Sequence, residues 1–134
     1  MFKFLSKHAD LGLLTGRIGI GAIFIAFGWQ KLSGGQAAWT HLGHAMANFG
    51  IAFMPNVWGL LAALSEFIGG ILLVLGFLFR PGALLILLNM LVALVTVFRQ
   101  HPHSFTTYSR PGEMLFILIV FFFVGPGKFS IDKG

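Results

Sequence analysis

The chain contains 134 residues, of which 57% are hydrophobic and 10% charged, and its formal net charge is +5. Soluble proteins carry roughly 25% charged residues and rarely expose large apolar patches, so this composition excludes a soluble enzyme and a nucleic-acid-binding domain. The sequence has no cysteine, which excludes thiolate catalysis and cysteine-ligated metal centres. We therefore expect a single membrane-embedded domain covering residues 1–134.

Charged residues interrupt four long apolar segments, which predict membrane-spanning helices at residues 11–32, 55–79, 81–98 and 111–124. A helix needs about 20 apolar residues to cross the hydrocarbon core. The first three segments approach or exceed that length, whereas the fourth is short, and we expect it to lie in thinned bilayer or to extend beyond these bounds. Pro55, Pro81 and Pro111 stand where the last three helices would begin. The predicted fold class is all-α, an integral membrane four-helix bundle.

The connection at residues 33–54 is too long for a tight turn. Its large apolar residues recur at helical spacing, at Trp39, Leu42, Met46 and Phe49. This pattern predicts a short amphipathic surface helix between the first and second spans. The second and third spans are joined only by Arg80-Pro81-Gly82, which predicts an antiparallel hairpin.

An even number of spans places both chain termini on the same side of a bilayer. That side would carry five basic residues, Lys3, Lys7, Arg80, Lys128 and Lys133, and the other side three, Lys31, Arg99 and Arg110. Because cytoplasmic loops are enriched in lysine and arginine, we expect cytoplasmic termini. The tryptophans and the single tyrosine all fall at the opposite, outer level, as residues of an interfacial aromatic belt do.

Three polar residues fall inside the predicted spans, namely Arg17, Glu66 and Asn89. Each lies on a helical stripe of small residues, which lets neighbouring backbones approach and gives the polar group partners. We expect the three stripes to face one another and the three side chains to form one intramembrane network. Ionisable groups inside a membrane are costly and are candidates for function. The network is therefore either an interhelical contact that sets the register or a polar pocket with Glu66 as proton carrier.

Two further groups lie near the outer surface. Lys31 ends the first span and Glu113 begins the fourth, so their depth predicts a Lys31–Glu113 ion pair, and Glu113 also suits the positive end of its helix dipole. Four of the five histidines lie in the outer connections, at His41, His44, His101 and His103. They are weak candidates for metal ligands, because no cysteine or carboxylate accompanies them at ligand spacing. We expect solvated loop histidines and no metal site.

Several short motifs follow one another along almost the whole chain. They are Arg17-Ile18-Gly19, Gly28-Trp29-Gln30-Lys31-Leu32, Glu66-Phe67-Ile68-Gly69-Gly70 and Gly125-Pro126-Gly127-Lys128-Phe129-Ser130-Ile131-Asp132. Jointly they resemble the DoxX family of small bacterial four-helix membrane proteins. The resemblance implies a multi-pass protein of the bacterial inner membrane. Some members of that family are similar to a subunit of thiosulfate:quinone oxidoreductase, and others are linked to redox or oxidative-stress systems.

The resemblance and the polar residues leave three functions open. In the first, the chain belongs to a quinone-linked redox system as a subunit or accessory, Arg17 donates to a quinone oxygen, Glu66 carries a proton, and a redox partner protein supplies electrons. In the second, the chain is a non-catalytic scaffold that stabilises its partners. In the third, it is a small transporter, which the lack of an inverted repeat disfavours. In each case we expect contact with the lipid bilayer and assembly as a homo-oligomer or hetero-complex.

Overall fold

The computed structural model of the chain describes residues 3–132. Its elements in chain order are α1 (Lys3–Ser6), α2 (Ala9–Ser33), α3 (Gly35–Gly43), a 3₁₀ helix (His44–Phe49), α4 (Pro55–Leu75), α5 (Phe79–Gln100) and α6 (Phe105–Val124). Four of these helices, α2, α4, α5 and α6, are long and apolar enough to cross a membrane. The predicted all-α four-helix membrane fold is confirmed.

Helices α2 and α4 approach closely because glycines line both of their facing surfaces. A Cβ added to Gly21 would lie 2.7 Å from the carbonyl oxygen of Gly70, and one added to Gly28 would lie 2.5 Å from the backbone nitrogen of Phe67. Side chains at these positions would push the helices apart, as expected for small residues at a membrane helix interface. This contact sets the antiparallel register in which Gly28 lies opposite Phe67.

The remaining spans complete the bundle around an apolar core. Helix α4 also packs against α5, and α5 packs against α6. The core draws on all four spanning helices and consists of Phe24, Leu73, Phe79, Ala83, Ile86, Met90, Leu118 and Phe121. Most of these side chains lie in the half of the bundle that is nearer to the chain termini.

A small helical roof covers the opposite end of the bundle, which we call the α3 end. It consists of α3 and the 3₁₀ helix and packs on the first turns of α4, where the backbones of Trp39 and Gly59 touch. The Trp39 indole donates a hydrogen bond to the carbonyl oxygen of Lys31 (3.1 Å), and Asn48 donates one to the hydroxyl of Thr96 on α5 (2.9 Å). The predicted short helix between the first two spans is therefore present, continued by a 3₁₀ turn.

The predicted boundaries were wrong at two places, the start of the fourth span and the hairpin between the second and third spans. Helix α6 begins at Phe105, so Pro111 lies inside it instead of at its start. The residues before Pro111 extend the short fourth span to 20 residues. This confirms the second of the two expectations for that span, that it extends beyond its predicted bounds. The α4–α5 hairpin turns at residues 76–78, not at residues 80–82, because Gly76 (φ 67°) and Leu78 (φ 45°) adopt left-handed conformations and end α4 there.

Residues 125–132 fold back across the other end of the bundle, and we call this segment the C-terminal strap. The backbone N–H of Lys128 donates to Asp10 near the start of α2 (3.0 Å), while Asp132 accepts from the N–H groups of Leu78 and Phe79 at the start of α5. Both ends of the described chain therefore lie at one end of the bundle, which we call the terminal end. Lys133, one of the basic residues used to predict orientation, lies outside the described residues.

Candidate functional site

The candidate site is centred on Glu66, a charged side chain in the middle of α4. Only 2% of its side chain is exposed, although a buried carboxylate is costly without partners. Three helices meet at this residue. Lys31 reaches it from α2, and Asn89 reaches it from α5.

Both partners donate to the same carboxylate oxygen. The Lys31 ammonium lies 2.6 Å from Oε1 of Glu66, and Asn89 Nδ2 lies 2.8 Å from that atom. The Asn89 amide also donates to the carbonyl oxygen of Ala62 (3.1 Å), which fixes its orientation. The second oxygen, Oε2 of Glu66, is buried and has no hydrogen-bond partner among residues 3–132. An unsatisfied buried acceptor is energetically unfavourable, so this oxygen is suited to accept a hydrogen bond from a ligand or water.

The register of α2 against α4 explains why Lys31, and not Arg17, meets Glu66. Gly28 lies opposite Phe67, so Lys31, one turn further along α2, lies at the level of Glu66. Bringing Arg17 toward the level of Glu66 would require the two helices to end at a common level. Instead the first turns of α4 extend past the end of α2 and pack against α3.

The predicted grouping of Arg17 with Glu66 and Asn89 is therefore wrong for Arg17. Its buried guanidinium lies beside Gly76, ten residues or about 15 Å along α4 from Glu66. There it donates to carbonyl oxygens of the C-terminal strap, to Pro126 (3.2 Å) and to Phe129 (2.5 Å). Arg17 holds the strap against the terminal end of the bundle.

The predicted Lys31–Glu113 pair is also wrong, since the Lys31 ammonium contacts Glu66. Glu113 is exposed on α6 and lies two turns after the start of that helix, outside the favourable part of the dipole. No three histidine, cysteine, aspartate or glutamate side chains come together within residues 3–132. Of the four outer histidines, His41 and His44 border the cavity described next, His101 caps the end of α5, and His103 lies in the following loop.

A cavity of about 980 Å³ opens above Glu66. Its base is polar and contains Lys31, Glu66 and Asn89, and its roof is formed by α3 and the 3₁₀ helix. The walls are α4 and α5, where the half-exposed side chains of Leu61 and Leu88 face away from the bundle core. Its volume is at the upper end of the roughly 300–1,000 Å³ typical of small-molecule sites. A polar base and an apolar side opening suit an amphiphilic ligand that enters from the membrane.

Comparison with known sequences assigns this chain to a family. The sequence model of DoxX proteins matches residues 12–99, from the first turn of α2 almost to the end of α5. The chain belongs to the DoxX family. The matched region contains every residue of the polar base, whereas α6 and the C-terminal strap lie beyond it.

One curated relative aligns along nearly the full length of this DoxX chain. It is inner membrane protein YqjF of Escherichia coli strain K12, which is 29% identical over 138 residues, covering 96% of this chain and 95% of the relative. No solved structure matches the chain. Together with its four spanning helices, the family and this relative identify the chain as a multi-pass inner-membrane protein.

Two of the three residues in the polar base, Glu66 and Asn89, were predicted as partners from the sequence. Glu66 and Asn89 were recognised because they interrupt apolar helices, whereas Lys31 was assigned to the interface and to another partner. One available signal was its position on the same stripe of α2 as Gly21 and Gly28. That spacing turns the Lys31 side chain toward α4.

Proposed function

We propose that this DoxX protein is a subunit of, or accessory to, a quinone-linked redox system of the inner membrane. In this proposal the cluster of Lys31, Glu66 and Asn89 receives the quinone headgroup, and the cavity between α4 and α5 admits it from the bilayer. Arg17, which the sequence suggested as a headgroup donor, is assigned instead to the C-terminal strap. A redox partner protein supplies the electrons.

The observation that carries the proposal is that Oε2 of Glu66 has no partner among residues 3–132, although it lies at the base of a cavity bordered by apolar side chains. A quinone headgroup is polar and its tail is apolar, which matches the polar base and the exposed leucines at the opening. The Lys31 ammonium, which is 32% exposed, is placed to donate to a headgroup oxygen. The Glu66 carboxyl is placed to hold a proton that the headgroup takes up or releases. When bound, a quinone supplies coupled two-electron and two-proton chemistry.

Quinone binding by the purified protein tests the proposal. We expect quinone to co-purify from native membranes, and a water-soluble short-tail quinone to bind the lipid-reconstituted protein at one saturable site. The E66Q variant retains the shape of the side chain but not its charge, and we expect it to lose this binding. The matched control is E113Q, which alters an exposed carboxylate on α6 and should bind as the wild type does. Absence of saturable binding to the wild type, or unchanged binding to E66Q, would refute the proposal.

The main alternative is a non-catalytic scaffold in which Glu66 only joins three helices. It is supported by the two hydrogen bonds on Oε1, which link α4 to α2 and α5. A scaffold predicts that E66Q lowers thermal stability and reduces the amount of partner complex, while the activity per assembled complex stays unchanged. A quinone site predicts that the activity per complex itself falls.

We also propose that both termini face the cytoplasm. The terminal end carries Lys3, Lys7, Arg80 and Lys128, whereas the α3 end carries Lys31, Arg99 and Arg110. An excess of basic residues favours the cytoplasmic side. The aromatic residues at the α3 end would then lie at the outer interface. A reporter that is active only in the periplasm should be inactive when fused to the C-terminus and active when inserted next to Gly35 in the α3 roof. The opposite pattern would reverse the orientation.

A further inference from the structure

The polar groups on the facing surfaces of α2 and α4 lie at two separate levels. Glu66 and Lys31 form one level, close to the α3 roof. Arg17 forms the other, at the terminal end beneath the C-terminal strap. Phe24 lies seven residues from both Arg17 and Lys31 on α2, so about 10 Å of helix separates it from each level.

The layer between the two levels is apolar and closely packed. Phe24 from α2, Leu73 from α4 and Ile86 from α5 are each at most 1% exposed, and so is Leu118 from α6. These side chains belong to a single contact cluster. Protein interiors packed in this way have few voids larger than a water molecule, so this layer opposes a chain of waters between Glu66 and the terminal end.

The C-terminal strap closes the terminal end a second time. Arg17 binds two of its carbonyl oxygens, and Asp132 anchors it to the N–H groups of Leu78 and Phe79. Water at the terminal surface therefore meets both the strap and the apolar layer before it could approach Glu66.

The route from Glu66 to the α3 end is polar and open, in contrast to the apolar layer and the strap on the terminal side. The Lys31 side chain is 32% exposed while that of its partner Glu66 is 2% exposed, so Lys31 connects the buried carboxylate to the cavity. The titratable groups around the cavity are Lys31 from α2, His41 from α3 and His44 from the 3₁₀ helix, and α5 contributes the uncharged Asn89. Both histidines are exposed at the surface.

From these observations we infer that Glu66 exchanges water and protons with the aqueous phase at the α3 end only. A proton released by the Glu66 carboxyl passes to water in the cavity and leaves past His41 and His44. A proton taken up by the carboxylate follows the reverse path. This inference rests on the proposed function for the other end of the transfer: a bound quinone that the partner protein reduces takes up two protons with two electrons to become a quinol, and a quinol that gives its electrons to the partner releases them. It gives the redox site a fixed sidedness, and it argues against a solute path through the chain.

The absence of cysteine from the sequence allows a direct test by single-cysteine accessibility. The probe is a charged, membrane-impermeant methanethiosulfonate, applied to right-side-out and to inverted membrane vesicles. The test position is Ser65, which lines the cavity next to Glu66. H44C marks the α3 end, K128C marks the terminal end, and A83C reports on the apolar layer, since Ala83 is fully buried. Only a hydrated thiolate reacts with such a reagent.

We expect S65C to be labelled in the vesicle orientation that labels H44C and to be unlabelled in the orientation that labels K128C. A83C should stay unlabelled in both. Labelling of S65C from the terminal side, from both sides or from neither side would overturn the inference. T96C, at a second cavity position, repeats the test if S65C fails to fold, and thermal unfolding of each variant verifies its fold.

Adding a short-tail quinone during labelling separates this inference from the proposed function. If both hold, quinone slows the labelling of S65C and leaves that of H44C and K128C unchanged. If the labelling is one-sided but insensitive to quinone, the route stands and the quinone site fails. If quinone protects S65C from labelling that occurs on the terminal side, the quinone site stands and the inferred route fails.

Discussion

Replacing Lys31 by methionine removes the one cation among residues 3–132 that contacts Glu66 and keeps a side chain of similar length. The carboxylate then retains one donor, Asn89, on Oε1 and none on Oε2 among the described residues. Removing one partner of a buried ion pair is strongly destabilising, because it leaves an uncompensated buried charge. We therefore expect K31M to be one of the most destabilising single substitutions in the polar base, and we expect neutralisation of Glu66 to rescue it.

The expected size follows from the geometry of the pair. At the observed separation of 2.6 Å, an effective dielectric constant of about 20 gives a gross attraction of about 6 kcal/mol. Desolvation of the two ions offsets most of it. Since Lys31 is about one-third exposed, we expect K31M to lose about 2–3 kcal/mol of unfolding free energy, at or below the usual range for buried pairs. E66Q keeps an oxygen acceptor for Asn89 and should lose about 1 kcal/mol.

A double-mutant cycle measures the coupling. In K31M/E66Q no charge is left in the polar base, so we expect a stability within about 1 kcal/mol of the wild type and a coupling energy of about 2–3 kcal/mol. Reversible unfolding in mixed micelles, followed by circular dichroism, gives the four free energies. The control is K7M, at an exposed position near α1, where the change should stay within about 0.5 kcal/mol. If the double variant loses the sum of the two single losses, the pair is not coupled and the reasoning about the site is wrong.

Three further substitutions probe the parts that position this site. G28A adds a Cβ 2.5 Å from the α4 backbone and should lower the unfolding free energy by about 1–3 kcal/mol, measured by thermal unfolding. The control is G19A, whose added Cβ has nothing within 4 Å and which should be neutral or slightly stabilising. Equal effects of the two substitutions would contradict the close contact. D132A removes both acceptors at the start of α5 and should lower the unfolding free energy by about 1 kcal/mol, whereas no loss would show that the cap is not formed. R17Q leaves the strap carbonyls without their cation and should speed cleavage after the exposed Lys128 in limited trypsin digestion; wild-type resistance would show that other contacts hold the strap.

The number of spans could be predicted from the sequence because charge and hydropathy report directly on the cost of crossing a membrane. The inward-facing stripe of α2 was also predicted from the spacing of Arg17, Gly21, Phe24, Gly28 and Lys31. The first four are the buried residues of that helix, and Lys31 is partly buried. The predicted helix boundaries were wrong where tertiary contacts determine the start or end of a helix. The start of α5 depends on Asp132, which lies 53 residues away in the chain, and local sequence patterns contain no trace of that contact.

The prediction of which residues form the polar cluster was wrong for a related reason, because the grouping depends on how far one helix is shifted along another. A shift of α4 by a few residues toward the terminal end would have carried Glu66 toward Arg17 and away from Lys31. The observed register follows from glycine contacts between α2 and α4, and a single sequence does not show which small residues on two helices face each other. The identities of the polar residues were predictable, whereas their pairing required the structure.

The register also determines which residues are free to act on a ligand. Arg17 is the stronger donor by chemistry, but two carbonyl oxygens of the strap engage its terminal nitrogens. Its Nε has no partner among residues 3–132 and is buried at the terminal end, where Phe24 separates it from the cavity. Lys31 has one partner and remains partly exposed, and Glu66 has one oxygen without a partner within the described chain. A ligand in the cavity thus meets a donor and an acceptor side by side. In the proposed arrangement, chemistry at this site couples to the α3 side of the membrane, while the contacts of Arg17 with the strap close the terminal side.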